Sequence, residues 1–149
     1  MKGARAERPS ARILLLDGQG RILLFRFDPP DRAPFWATPG GALDPGETFA
    51  AGARRELLEE TGLDLDCGPE VDQRLAEFVN LDGVPVAADE RYFLVRTEGC
   101  EIAIAGHTEL ERRVMRGWRW FTRHELAAHD EPVFPGDLLA MLERIEDGD

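Results

Sequence analysis

Three glutamates, Glu56, Glu59 and Glu60, stand at i, i+3 and i+4 in the stretch that runs from Gly40 to Leu63. On an α-helix that spacing puts all three carboxylates on one face, within roughly a 100° wedge. Like charges so close repel one another, so a positive partner is expected. The donors are hard oxygens, which suit a divalent cation such as Mg²⁺, with Mn²⁺ as the alternative. Acids on a helix are most often only a solvated face, and glutamate is a good helix former. The three residues alone therefore decide nothing, and their setting has to.

The setting predicts a helix. Pro45 and Gly46 form a turn, and Thr48 is a suitable N-cap. Ala50, Ala53 and Leu57 recur at helical spacing as a narrow apolar stripe beside the acids. Gly62 is placed to end the helix. Upstream, Thr38-Pro39-Gly40-Gly41 is a turn in which two glycines let the backbone come close to a ligand.

The order Gly41, Glu47, Arg55-Glu56-Leu57, Glu59-Glu60, Gly62-Leu63, at its fixed spacings, resembles the Nudix hydrolase signature at every defined position. Many specified positions at set intervals are far more specific than a lone glycine-rich loop. The resemblance implies an α/β fold, an α/β/α sandwich with a mixed β-sheet between helices. It also implies hydrolysis of a nucleoside diphosphate linked to a second group X, releasing a nucleoside monophosphate and phosphorylated X. Metal ligands would be the Gly40 carbonyl with Glu56, Glu59 and Glu60. Glu59 is the first candidate for the base, or for the ligand that shapes the nucleophile. Glu111 is the runner-up, with Glu109 behind it, because relatives draw an extra carboxylate from this downstream region; a solvated helix face is the competing reading there. Glu47 and Arg55 would pair as a carboxylate–guanidinium fork that ties the loop to the helix. In chemical terms, a divalent ion offsets the charge by which a pyrophosphate repels a nucleophile, and it readies water for attack.

The remaining elements follow from pattern. Residues 1–9 are polar and are expected to be a disordered tail, leaving 10–149 as a single domain. Residues 11–16 and 21–27 read as strands around the Asp17-Gly18-Gln19-Gly20 turn, forming an antiparallel pair. Pro29-Pro30 makes 28–34 a loop. Arg26 at its edge, Arg32 within it and Phe35 after it are candidate substrate contacts, the arginines for phosphate and the ring for a base. Phe35 and Trp36 could instead pack on the core, and for Trp36 packing is the better reading. Strands are expected over 71–81 and 117–121, and 84–87 and 91–96, with their β-branched and aromatic residues, give at least one core strand through Tyr92-Phe93-Leu94-Val95. Thr122 to Leu126 opens a helical turn, and a last helix spans 137–145. His107, His124 and His129 show no ligand spacing.

Composition sets limits. The 149 residues carry a formal net charge of -11, with 43% hydrophobic and 32% charged residues. That balance is ordinary for a globular chain. The negative charge disfavours polyanionic partners, so no nucleic-acid polymer and no membrane is expected; a small nucleotide fits if a metal and local arginines reverse the sign inside the site. Cys67 and Cys100 have no finger spacing, which leaves zinc without support, and a reducing, cytoplasmic setting is expected. A homodimer is among the states that the family resemblance allows. A non-catalytic Nudix-fold domain that senses a nucleotide is the alternative function, and an isomerase on the same fold is a third.

Overall fold

The computed structural model describes residues 6–80, 82–98, 102 and 114–147. The chain runs β1 (Ala6–Leu16), β2 (Ile22–Phe27), β3 (Phe35–Ala37), β4 (Gly40–Ala42), α1 (Phe49–Thr61), β5 (Glu70–Val79), β6 (Pro85–Arg96), β7 (Met115–Phe121), α2 (Arg123–Ala128), β8 (Val133–Phe134) and α3 (Leu138–Asp147).

Strand β1 is the spine of the sheet. It meets β2 antiparallel at Leu16 and Ile22, as the turn between them predicts. It meets β4 antiparallel, with Arg12 opposite Gly40. It lies parallel to β6 along its whole length, from Ala6 opposite Val86 to Leu16 opposite Arg96. Strand β2 carries β3 and β7, β6 carries β5, and β8 runs parallel to β3, so the sheet is mixed.

Two expectations change here. Residues 6–9 belong to β1 rather than to a tail, because their backbone groups pair with 86–89 on β6. A non-local ladder overrides polar composition there. The segments 84–87 and 91–96 are joined in the one strand β6. The acids that interrupt its apolar pattern are held by partners: Glu90 by Arg12, and Asp89 by Arg91 and Gln73.

The apolar run in β1 is continuous because both faces of the sheet are covered. Leu14 and Leu16 pack with Leu126 of α2 and with Leu138, Met141 and Leu142 of α3. Ile13 and Leu15 pack on the other face with Phe25, Val95 and Leu57 of α1. Helices therefore flank the mixed sheet on both sides, an α/β/α sandwich. Trp36 is buried in the first cluster, its ring edge-on to Phe121 at 5.1 Å. No helix of the described residues is long and apolar enough to cross a membrane.

Helix α1 starts and stops where the sequence indicates. Thr48 Oγ1 accepts from the Ala51 N–H at 3.1 Å, and Gly62, in the left-handed conformation, donates to the Leu58 carbonyl. Ala53 and Leu57 are buried, and burying the leucine contributes about 2 kcal/mol. Ala50, expected on the same stripe, is exposed. The buried face is completed instead by Gly52, Glu56, Glu60 and Thr61, so two carboxylates of the trio face inward.

Candidate active site

The inward face of α1 lies against the β4 backbone, and the contact is close enough to require glycine. A Cβ on Gly41 would stand 2.8 Å from Glu56 Oε1. A Cβ on Gly40 would meet the Ala11 carbonyl oxygen at 2.2 Å, and its φ of 134° is one that side chains avoid. The Gly40 N–H donates to Glu60 Oε2 at 3.0 Å. Helix and turn thus meet where the Glu56 and Glu60 carboxylates lie directly against the backbone of Gly40 and Gly41.

Arg55 holds the other side of the cluster. Its Nε and Nη2 donate to the two Glu47 oxygens at 2.9 Å each, the fork that the family resemblance implied. Nη2 also donates to the Ala42 carbonyl at 3.1 Å. Nη1 donates to Glu56 Oε1 and to Glu59 Oε2, both at 3.1 Å. The hydrogen bonds from Arg55 hold the Glu47 carboxyl below its ordinary range, against the effect of burial. The Glu47 bonds, with the charges of Glu56 and Glu59, raise the Arg55 guanidinium in turn. Of the three clustered acids Glu59 is the accessible one, its side chain 42% exposed, while Glu56 and Glu60 are buried.

Could these residues hold a divalent ion? Among the described residues no three carboxylate, imidazole or thiolate groups already converge into a metal cage. The donor set nevertheless fits one. It consists of oxygen alone, the donors hard divalent ions select. Two of its carboxylates, Glu56 and Glu60, are buried side by side on one helix face. Gly41 leaves at Glu56 a cradle that a Cβ would fill. The Gly40 carbonyl, the remaining candidate ligand, accepts from Arg12 Nη1 at 3.2 Å, which engages one of its lone pairs.

A cavity of about 430 Å³ adjoins this cluster, and Gly40 and Glu60 form part of its wall. Phe35 and Arg32 line it, as does Phe134 from β8. Phe35 stacks on Phe27 with ring centres 5.4 Å apart and meets Phe134 edge-on at 5.5 Å, which gives one wall an aromatic surface. Arg32 donates to the Val79 and Asn80 carbonyls at 2.7 and 2.9 Å, so it clasps the 28–34 loop to the end of β5.

Arg26 is the exception among the proposed contacts. It does not line the cavity; it forks onto Glu131 at 3.0 and 2.8 Å, and the same carboxylate accepts from Trp36 Nε1 at 2.8 Å. Those bonds, Arg26 first and Trp36 next, hold the Glu131 carboxyl down at about 2. The guanidinium that was expected to meet a phosphate instead ties β2 to the chain entering β8. Glu111 and Glu109 lie outside the described residues.

The structure also brings in residues that the sequence does not mark. Arg12 donates through Nε to Glu90 at 3.0 Å and through Nη1 to the Thr38 and Gly40 carbonyls. Burial works against the Arg12 charge, but Glu90, with Tyr92 and Glu60, outweighs it and raises the guanidinium. Arg12 and Glu90 both line the cavity, as do Tyr92 and Arg74. Their one possible signal was a charged residue inside each of two apolar strands. Nothing local said that those strands run parallel in register.

A buried acidic helix face beside an open cavity, on an α/β/α sandwich, is the arrangement that the sequence resemblance implied. The NUDIX domain model matches residues 6–142, and the chain belongs to that family. An RNA pyrophosphohydrolase of Roseobacter denitrificans is 28% identical over 153 residues, covering 93% of this chain and 91% of its own. A Mycobacterium tuberculosis protein provisionally named 8-oxo-dGTP diphosphatase 2 is 33% identical over 112 residues, covering 75% and 70%. The crystal structure of the MutT protein from Methanosarcina mazei superposes with a TM-score of 0.72 over 99% of this chain and 98% of its own; at 21% identity that likeness concerns the fold. The chain is a Nudix pyrophosphohydrolase, acting on a nucleoside diphosphate linked to X.

Proposed function

We propose that the chain cleaves a small nucleoside diphosphate derivative, with Mg²⁺, or Mn²⁺ in its place, held by the Gly40 carbonyl, Glu56, Glu59 and Glu60. Divalent ions are general to the family. The observation that carries this reading is the shared wall: Gly40 and Glu60 belong both to the acidic cluster and to the cavity. A molecule lodged there has its phosphates against the carboxylate face and its base among Phe27, Phe35 and Phe134. The bound ion would supply charge neutralisation and the activation of water.

The protein's own groups do the rest. Glu59, the exposed acid, is placed to take a proton from the attacking water, with Glu111 as the second candidate. Arg55 fixes the Glu59 side chain through Nη1. Glu47 fixes Arg55, and Gly40 fixes Glu60. A small substrate is favoured over an RNA 5′ end by the formal net charge of -11, which repels a long polyanion. The free, half-buried Cys67 thiol agrees with a cytoplasmic setting.

The test is a hydrolysis screen with Mg²⁺ and Mn²⁺ over ADP-ribose, dinucleoside polyphosphates, oxidised nucleotides and sugar nucleotides, reading released nucleoside monophosphate, and over a 5′-triphosphorylated RNA, reading released pyrophosphate or phosphate. Turnover is expected on a small nucleotide, and Glu59→Gln is expected to lower it roughly 10²–10⁴-fold with the fold intact. Full activity in that variant would reject the role given to Glu59. Turnover confined to the RNA would reverse the choice of substrate size. Tight binding with no turnover on any member would restore the sensing domain.

A further inference from the structure

Arginines on the cavity wall differ in how much of their hydrogen-bonding capacity the protein uses. A guanidinium has five N–H donors. Arg32 directs Nε, Nη1 and Nη2 to Asp31 and to two backbone carbonyls. Arg74 lies between two carboxylates, Asp72 and Asp137. Arg12 has one carboxylate partner, Glu90, and reaches it through Nε alone. Arg26 and Glu131, by contrast, make a two-pronged fork through Nε and Nη2. Arg12 Nη1 is used by the Thr38 and Gly40 carbonyls. Its Nη2 makes no hydrogen bond among the described residues, and it is not sealed off, because the buried side-chain polar atom without a partner is His129 Nε2. The Arg12 side chain is 18% exposed and lines the cavity.

We propose that Arg12 is a substrate-contact residue, whose Nη2 donates to a phosphate oxygen of the bound nucleotide where the acidic helix face opens into the cavity. This rests on the reading that the cavity takes a nucleotide. Three features select an anionic oxygen as the partner. The guanidinium is charged, and desolvated donors of that kind form their strongest bonds with anions. Its position is fixed from two sides, by Glu90 and by the two carbonyls, so little conformational entropy remains to be lost on binding. It bonds directly to the Gly40 carbonyl, and the Gly40 N–H bonds to Glu60, so a phosphate that reaches Nη2 is beside the acidic cluster. Arg12 also explains how a polyanion approaches Glu60 and Glu90, two buried acids of the same wall.

The experiment measures binding of adenosine and guanosine, and of AMP and GMP, by calorimetry on the full chain with chelator present, so that no divalent ion contributes. Wild-type protein is expected to bind a monophosphate roughly tenfold or more tightly than its nucleoside. Arg12→Met leaves Glu90 buried without a partner and risks the fold, so the main variant is Arg12→Met/Glu90→Met. In it the monophosphate-to-nucleoside ratio is expected to fall to within about twofold of unity. Arg12→Lys keeps the charge without the planar fork and is expected to lie between. A deformed cavity would weaken both ligands and leave their ratio alone, so an unchanged ratio overturns the proposal. Equal affinity of the wild-type chain for nucleoside and monophosphate overturns it as well. A hydrolysis screen that finds no turnover, beside a ratio that collapses, would remove the catalytic reading and leave this contact standing.

Discussion

Arg55→Met is the most informative single change in the acidic cluster. The guanidinium is 24% exposed and bonds Glu47 twice, Glu56 and Glu59 once each, and the Ala42 carbonyl. Methionine keeps most of the apolar stem, so the loss is chiefly one of charge and hydrogen bonds. Removing one partner of a buried pair costs roughly 3–5 kcal/mol, because the acids left behind are uncompensated. Glu59 is 42% exposed and water takes over part of its share, so the expected loss is about 3 kcal/mol. That is a large part of the 5–15 kcal/mol that typically holds a domain together. At roughly 2–4 °C per kcal/mol for a chain of this size, the melting point should fall by about 6–12 °C. Arg55→Lys should recover part of the loss, since an ammonium keeps the charge but cannot fork. Excess Mg²⁺ should stabilise Arg55→Met more than wild type, because carboxylates without their guanidinium hold a cation more tightly. Thermal and urea melts of the three proteins, with and without Mg²⁺, measure all of this. If Arg55→Met melted within about 1 kcal/mol of wild type, the claim that this arginine balances the acids would be wrong.

Two further perturbations address neighbouring steps. Gly41→Ala puts a methyl 2.8 Å from Glu56 Oε1, so the carboxylate must move; a stability loss of about 1–3 kcal/mol and Mg²⁺ binding weakened roughly 10–100-fold are expected by melts and calorimetry. Unaltered Mg²⁺ binding would remove Glu56 from the ligand set. Acidification tests Glu131, whose carboxyl is held at about 2 against an ordinary 4.5. A depressed carboxyl contributes its full stability above the unfolded value and loses it as pH falls through the folded one, so this contribution should fade between about pH 4.5 and 2. The Trp36 indole N–H resonance, bonded to Glu131, reports it directly; a titration of that signal above pH 5 would contradict the assignment, and Glu131→Gln should abolish it.

Helix α1 was readable because its information is local. A cap, a stop and side chains three and four apart settle one another's positions without reference to the rest of the chain. The error at Ala50 has the same origin. Periodicity counts apolar residues, and here part of the buried face is Glu56 and Glu60, which no hydrophobic pattern reports. What lay beyond reach depends on strands brought together from far apart. Arg12 and Glu90 are 78 positions apart, Arg26 and Glu131 are 105, and only sheet register joins them. The polar residues 6–9 look like a tail for that reason, since their β6 partners begin at Val86. Where each arginine lies depends on acceptors that the sequence could not place: Arg26 bonds Glu131 away from the cavity wall, and the parallel pairing of β1 with β6 puts Arg12 into that wall.

Arg55, which bonds the acidic cluster, and Arg12, which bonds the Gly40 carbonyl beside it, divide the charge problem by location. Arg55 is not part of the cavity wall, and it pairs with Asp44, Glu47, Glu56, Glu59 and a β4 carbonyl, so it answers the repulsion that would otherwise oppose folding. Arg12 is part of that wall and has donors to spare, so it answers repulsion that arises only when a phosphate arrives. Exchanging the roles would fail on geometry: Arg55 Nη2 is already shared between Glu47 and the β4 carbonyl of Ala42, and Arg55 does not line the cavity. Loss of Arg55 should therefore register first in stability, and loss of Arg12 with its Glu90 partner first in discrimination between ligands that differ by one phosphate. Opposite signatures from two cations on either side of Gly40 and the acidic helix follow from this placement. They would not follow if the arginines merely diluted the negative charge of an acidic surface.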